Sequence, residues 1–374
     1  MERPETCAEL AEILAGCGRD ARTVRMVGGG TKQGWGTPQP VDVRVSTASL
    51  GRITAHNAGD LTAVVEAGVP LRRANEEFAA AEQMLALDPP DSGGATIGGV
   101  VATADTGPLR HRYLGVRDLV LGMTVALSDG TIAKSGGTVI KNVAGYDLAK
   151  LFAGSFGTLG AILRVAFRLH PIARAPVTIA MTGDDASDVA ACALDLVGLA
   201  LEAECLDLSW DSEGGAVFVR LAGVATDTRA RRVQEVARER GLDAAVADDR
   251  DVWERRRAHQ RADDAIVCRV SVVPARVARL LALAQRVDAS VSGRVAHGSY
   301  FLRLEGDDDA VVAAVEEVRA ETDACVVLDA PDAVREKVGV WGSVDERALG
   351  VMRAVKRRLD PAAIMAPGTF VGGI

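Results

Sequence analysis

Residues 136–162 read GGTVIKNVAGYDLAKLFAGSFGTLGAI. Glycine and other small residues dominate the stretch, with Lys141, Tyr146 and Asp147 set among them. Glycine at this density is costly in chain entropy, so the backbone either lies close against something or turns through positive φ. No G-x-G-x-x-G stands between a strand and a helix, and no G-x-x-x-x-G-K-[ST] occurs. Whatever this segment cradles is not held in a Rossmann or P-loop manner.

Two further glycine turns lie upstream. The strand RTVRMV, residues 22–27, runs into GGGTKQGWG, residues 28–36. Successive amides in such a turn can face an anion; a flexible hairpin loop would read the same. Residues 87–102 read LDPPDSGGATIGGVVA. The prolines fix an extended path, and the glycines open a helix of small residues whose start offers free amides and a positive dipole end. Strands are expected at 41–45, 53–58, 61–67, 119–127 and 159–169, and helices at 6–17 and 70–83. Arg117-Asp118 is expected to open the strand at 119–127. Three glycine turns between strands suit a large extended ligand with a pyrophosphate and a flat ring. FAD fits that description, and the missing Rossmann fingerprint disfavours NAD.

The chain has 374 residues, 48% of them hydrophobic, and a net charge of −8. The length allows two or three domains with real cores. The acidic balance argues against nucleic-acid or anionic-membrane partners. No apolar run approaches the roughly 20 residues of a membrane span, and the first residues lack the pattern of a signal peptide. A cytoplasmic protein is expected, or one attached to a membrane only through partners. Cys7, Cys17, Cys192, Cys205, Cys268 and Cys325 are scattered and form no C-x-x-C. Buried small hydrophobes in a reducing compartment account for them, and no metal site is expected.

GGGTKQG, LDPPDSGGATIGGVVA, RDLVLG and GGTVIKNVAGYDLAKLFAGSFGTLGAILRVAFRLHP, in that order, resemble the FAD-binding domain of the vanillyl-alcohol oxidase / p-cresol methylhydroxylase (PCMH) family. Within the family they are most similar to the FAD-binding subunits of glycolate-oxidase-type complexes. The resemblance is dense in the first half and thinner beyond, through VWERRRAH and LDPAAIMAPG. It implies that Gly28, Gly29, Gly30, Thr31 and Lys32 wrap the FAD pyrophosphate. Members with covalent flavin often carry histidine just after these glycines; Thr31 stands there, which implies non-covalent FAD. Thr96, Ile97, Gly98 and Gly99, flanked by Pro90 and Ala102, would pass along the isoalloxazine and pyrophosphate. Asn142, Gly145, Tyr146 and Asp147 would lie beside the flavin, and Ser155, Gly157, Thr158 and Leu159 would form a return loop. Ile162 would sit near the adenine. Each residue is also explained by the packing of a tight turn, and Tyr146 and Asp147 by fixing a helix at 147–153.

The second half changes character: glycine thins out and charged helices alternate with strands. Strands are expected at 177–181, 205–210, 216–221, 266–273, 290–295 and 300–304, and helices at 186–199, 227–240, 274–286 and 307–321. This pattern suggests an antiparallel sheet with helices on one face, which the resemblance assigns to a cap on the substrate side. The expected fold class is therefore α+β. A PCMH-type FAD-binding domain of two α/β subdomains spans 1–172. A small α+β cap with an antiparallel sheet spans 173–330, and a tail, 331–374, returns to the FAD domain. Related tails carry Asn-Pro-Gly where this one has Ala366-Pro367-Gly368, so the resemblance does not carry a tail side-chain contact to the flavin over to this chain.

Hydroxy-acid oxidation needs a base for the hydroxyl proton and a cation for the carboxylate. The larger catalytic subunits of the family carry H-x-x-G-D-G-x-x-H. This chain has only isolated histidines: His56, His111, His170, His259 and His297. His297, Arg257 and Arg110 are weak catalytic candidates; a polar strand end is the favoured reading of His297, a solvated helix face or packing at the domain junction accounts for Arg257, and a solvated loop contacting a partner for Arg110. The resemblance implies an FAD-dependent oxidoreductase subunit acting on glycolate or a related 2-hydroxy acid, beside a larger flavoprotein subunit and an iron–sulfur subunit. A stand-alone FAD dehydrogenase or oxidase, and a scaffold that has lost FAD, are the alternatives.

Overall fold

The computed structural model describes residues 1–90, 93–138 and 147–374. They divide into two compact units, one of Met1–Thr106, Leu114–Ile172 and Val344–Ile374, the other of Gly107–Tyr113 and Ala173–Ser343.

The first unit opens with the helix Cys7–Arg19. Thr6 caps it, its hydroxyl accepting from the Glu9 amide at 3.1 Å. Leu10, Leu14 and Cys17, three and four residues apart, form its buried stripe. They pack with Val24, Val43 and Val45 from a parallel pair, Val24–Val27 beside Val43–Ser46. A five-stranded antiparallel sheet follows, in the spatial order Ile53–Asn57, Thr62–Glu66, Ala161–Arg168, Val120–Ala126, Ile132–Gly136. Its middle strand is apolar throughout apart from its arginines, as a strand covered on both faces should be. Glu66 is fully buried but not unpaired: Arg52 and Arg164 lie at 3.1 and 3.2 Å.

Local geometry departs from the sequence expectation at a helix and at a strand start. The helix expected over 70–83 is Leu71–Ala79. The chain turns at Glu82, φ 55°, so that Gln83–Met84 can pair with His170–Pro171. Arg117 and Asp118 do not open a strand; they belong to a helical turn, Val116–Leu119, in which Asp118 accepts from the Gly115 amide at 3.0 Å.

The last residues complete this unit. Met365 bridges Val24 in parallel, and the amides of Val24 and Ala366 bond Ile364 and Val24 across that bridge. Ile364 and Met365 are buried in the same core as Leu10 and Val45.

The second unit is an eight-stranded sheet, antiparallel at every pairing. One face packs Leu206, Leu208, Val217 and Val219 against Val189, Val233 and Leu280 of the helices Ala186–Val197, Thr226–Glu239 and Val277–Arg286. The edge strands Asp243–Ala247 and Ala324–Asp329 were not expected from the sequence. DAAVA has little strand propensity of its own; pairing with residues 178–182 fixes it. Among the described residues, no helix is long and apolar enough to cross a membrane.

Candidate functional site

The three glycine-rich segments meet within the first unit. A cleft of about 840 Å³, part of it open to solvent, is lined by Gly28, Gly29, Gly30, Thr31 and Lys32, by Thr96, Gly98, Gly99 and Ala102, and by Gly157 and Ile162. The close approach of the loops explains the glycines. A Cβ on Gly28 would stand 2.1 Å from the Thr96 hydroxyl, and one on Gly29 1.6 Å from the Gly94 carbonyl oxygen. Neither position has room for a side chain.

Other expected residues lie elsewhere. Ile97 is fully buried, the first residue of the helix Ile97–Thr103, and Leu159 is in the core. Ser155 and Thr158 close the return turn on themselves: the Thr158 hydroxyl donates to the Ser155 carbonyl at 2.7 Å. Asp147 pairs with Lys150 at 3.1 Å on the surface. Pro90 is buried beside the second turn, outside the cleft wall. Asn142, Gly145 and Tyr146 lie outside the described residues.

The cleft also recruits residues that the motifs did not single out: Arg25, Gln33, Trp35, Thr47, Phe156 and Thr369 among them. Arg25 sits in the strand before the first glycine turn and gives one N–H to the Gln39 carbonyl at 2.7 Å. A cation facing the cleft from a strand otherwise read as β-structure was the one available signal. Thr369 arrives from the tail, two residues after the Pro367 whose neighbourhood departs from the family pattern, so the tail reaches the cleft all the same.

The cleft suits an anionic dinucleotide. The amides of Gly29 and Gly30 have no backbone partner among the described residues. Among the described residues the Thr96 hydroxyl and the Arg25 Nε are buried without a hydrogen-bond partner, a state that is costly unless a ligand supplies the missing group. Lys32 is less available. It is buried against Asp105 at 3.1 Å and lies 5.8 Å from the centre of the Trp35 ring. A phosphate would therefore meet amides and Arg25 before it met a lysine free of its counter-ion. FAD, with a pyrophosphate and flat ring at opposite needs, fits these donors.

The weak catalytic candidates are all in the second unit, and none lines the cleft. His297 stands with its ring centre 6.2 Å from that of His111, edge to face. Burial, and next the charge of His297, push His111 down to about 4. Arg110 begins a single turn, Arg110–Tyr113, whose Tyr113 hydroxyl donates to Glu204 at 2.7 Å. Arg257 lies on the helix Asp249–Ala258. Among the described residues no cluster of three or more metal-ligating side chains occurs.

A cleft walled by glycine turns, in an antiparallel α+β setting without a Rossmann motif, is the fold of a PCMH-type FAD-binding domain. Residues 2–136 match the family model described as FAD binding domain. The mitochondrial D-lactate dehydrogenase [cytochrome] of Arabidopsis thaliana is 27% identical over 418 residues, 98% of this chain and 72% of that protein. Glycolate oxidase subunit GlcE of Escherichia coli is 37% identical over 144 residues, 38% of this chain and 40% of GlcE. The chain spans less than half the length of several other curated relatives it matches. Among solved structures, alkyldihydroxyacetonephosphate synthase superposes with a TM-score of 0.73 at 15% identity, over 98% of this chain and 76% of that one, which shows the shared fold. The chain thus carries an FAD-binding domain of this fold over residues 2–136.

Proposed function

We propose that this chain is the FAD-binding subunit of a glycolate-oxidase-type dehydrogenase. It oxidises glycolate or a related 2-hydroxy acid to the 2-oxo acid, beside a larger flavoprotein subunit, and passes the electrons to an iron–sulfur partner. The glycine cleft, with its unpartnered Thr96 hydroxyl and Arg25 Nε, carries the reading. The likeness to a protein named as a glycolate oxidase subunit supports the choice of complex. Bound FAD would supply the two-electron acceptor for the alcohol carbon. The chain's own part is to hold it: amides of residues 28–32 and Arg25 neutralise the pyrophosphate, and the Thr96 hydroxyl meets a polar edge. With Thr31 where covalent members carry histidine, the flavin is held non-covalently, and acid precipitation leaves all the yellow colour in the supernatant. Colour retained by the polypeptide would contradict that.

A stand-alone FAD dehydrogenase acting on an alcohol or hydroxy acid is the second reading. The alignment with the Arabidopsis enzyme favours it, because it runs through 98% of this chain. Affinity purification from native cells, with flavin and iron assayed in the eluate, separates the two. Iron and a larger flavoprotein in stoichiometric amounts support the complex. Turnover of a 2-hydroxy acid by the isolated chain with a dye acceptor overturns it in favour of the second reading.

A further inference from the structure

The cleft of the first unit presents an unmet acceptor beside its unmet donors. Among the described residues, three side chains lining it have a buried polar atom without a hydrogen-bond partner: Nε of Arg25, the hydroxyl of Thr96 and Oε1 of Gln33. The first two can each donate to an anion. Oε1 of Gln33 cannot. It only accepts, so a phosphate oxygen beside it would be repelled. Left unmet, it is costly. A ligand that satisfies this cleft therefore brings a donor as well as negative charge.

The way Gln33 is held fixes where that donor must be. Its backbone N–H bonds the Gly30 carbonyl at 3.4 Å, which closes the glycine turn. Its side-chain Nε2 donates to the Met26 carbonyl, also at 3.4 Å. That bond orients the amide group, because the opposite orientation would set Oε1 against a carbonyl oxygen. Met26 follows Arg25 in the strand Val24–Val27. The acceptor thus stands between the strand that carries the Arg25 Nε and the turn that carries the amides of Gly29 and Gly30. A ligand whose anionic group meets those donors must carry its own donor close by.

Oxidised FAD has donors of three kinds: the N3–H of the flavin, the amino group of the adenine, and the hydroxyls of its two sugar chains. A whole sugar separates each ring from the pyrophosphate. The hydroxyls of the ribose and of the ribityl chain lie next to it.

We propose that Oε1 of Gln33 accepts a hydrogen bond from a sugar hydroxyl beside the FAD pyrophosphate, and so makes the cleft select a nucleotide over a bare phosphate anion. The inference rests on FAD as the ligand of this cleft.

The test is titration of the apoprotein, wild type and Gln33→Met, with FAD followed by flavin fluorescence, and with ADP and FMN as competitors of FAD. Methionine keeps the approximate length and volume of glutamine and removes the acceptor. Gln33→Met is expected to bind FAD about fivefold more weakly, the worth of one hydrogen bond between neutral groups. The two fragments separate the two sugars. A loss confined to ADP assigns the bond to the ribose, and a loss confined to FMN assigns it to the ribityl chain; either supports the proposal. Equal FAD affinities in the two proteins would overturn it. So would the same loss, or none, with both fragments, since a displaced turn weakens both and a single hydrogen bond weakens one. A wild type that binds no FAD would refute the cofactor itself, whereas FAD bound alike by both proteins removes only Gln33.

Discussion

Lys356 and Asp360 form a buried ion pair, Nζ to Oδ2 at 2.7 Å, and the lysine gives its other two hydrogens to the carbonyls of Thr158 and Met365 at 2.7 and 2.8 Å. All three donors of the ammonium are used. Asp360 in turn accepts from the Met365 amide at 2.9 Å. One cation thus ties the last α-helix, Glu346–Leu359, to the return turn of the glycine stretch and to Met365 of the tail, which bridges Val24. Removing one partner of a buried pair leaves the other charge uncompensated. Lys356→Met is expected to cost about 3–5 kcal/mol in denaturant unfolding. Lys356→Met with Asp360→Leu is expected to recover part of that loss, since no charge is then left behind.

The first two glycine turns fix each other by backbone contact. Gly29→Ala drives a methyl into the Gly94 carbonyl. The loops must separate, and the cleft they shape is lost. The purified variant is expected to come off the column colourless while keeping its far-ultraviolet circular dichroism. A variant that retains stoichiometric FAD would show that the cleft tolerates separation of the loops.

Arg25 is the cation of the cleft with an unmet donor, whereas Lys32 is engaged by Asp105. Arg25→Met is expected to weaken FAD binding about tenfold or more, the worth of a charge-assisted hydrogen bond. Thr96→Val should cost less, about fivefold, because the lost group is neutral. Fluorescence titration of the apoprotein with FAD measures both. Equal affinities for wild type and Arg25→Met would remove Arg25 from the binding site.

Two histidines make the second unit sensitive to acid. Burial holds His111 at about 4 and His259 at about 3, against 6.5 when exposed. Between pH 6.5 and 4 the unfolded chain therefore binds protons that the folded chain refuses, and stability falls as pH falls. It is complete above pH 6.5. His259→Gln, which can keep a polar contact to Ser290, now 3.0 Å from the ring nitrogen, is expected to flatten the decline of melting temperature across that range. An unchanged slope in both His111→Gln and His259→Gln would place the acid sensitivity elsewhere.

The fold class and the cofactor were legible in the sequence for definite reasons. Three glycine turns at 28–36, 93–99 and 154–160 are a local signal: each announces a backbone without side chains, whatever surrounds it. The alternation in Cys205–Asp211 and Gly214–Leu221 likewise shows a strand with one apolar face. Asp243–Ala247 and Ile132–Gly136 were not legible, because their strand character comes from the neighbours they pair with.

By itself the sequence determined that small-residue turns lie between strands, that they suit FAD, and that no nucleotide motif of the Rossmann or P-loop kind is present. Only the tertiary structure decided which groups fill the cleft. Arg25, Thr96 and Thr369 are 344 residues apart at the extremes, yet Arg25 Nη2 and the Thr369 hydroxyl stand 3.5 Å apart. It also decided that Lys32 has its counter-ion in Asp105. The physical reason is the same in each case. A hydrogen bond or ion pair depends on distance in space, and chain closure through a sheet register or a returning tail leaves no periodic mark in the sequence.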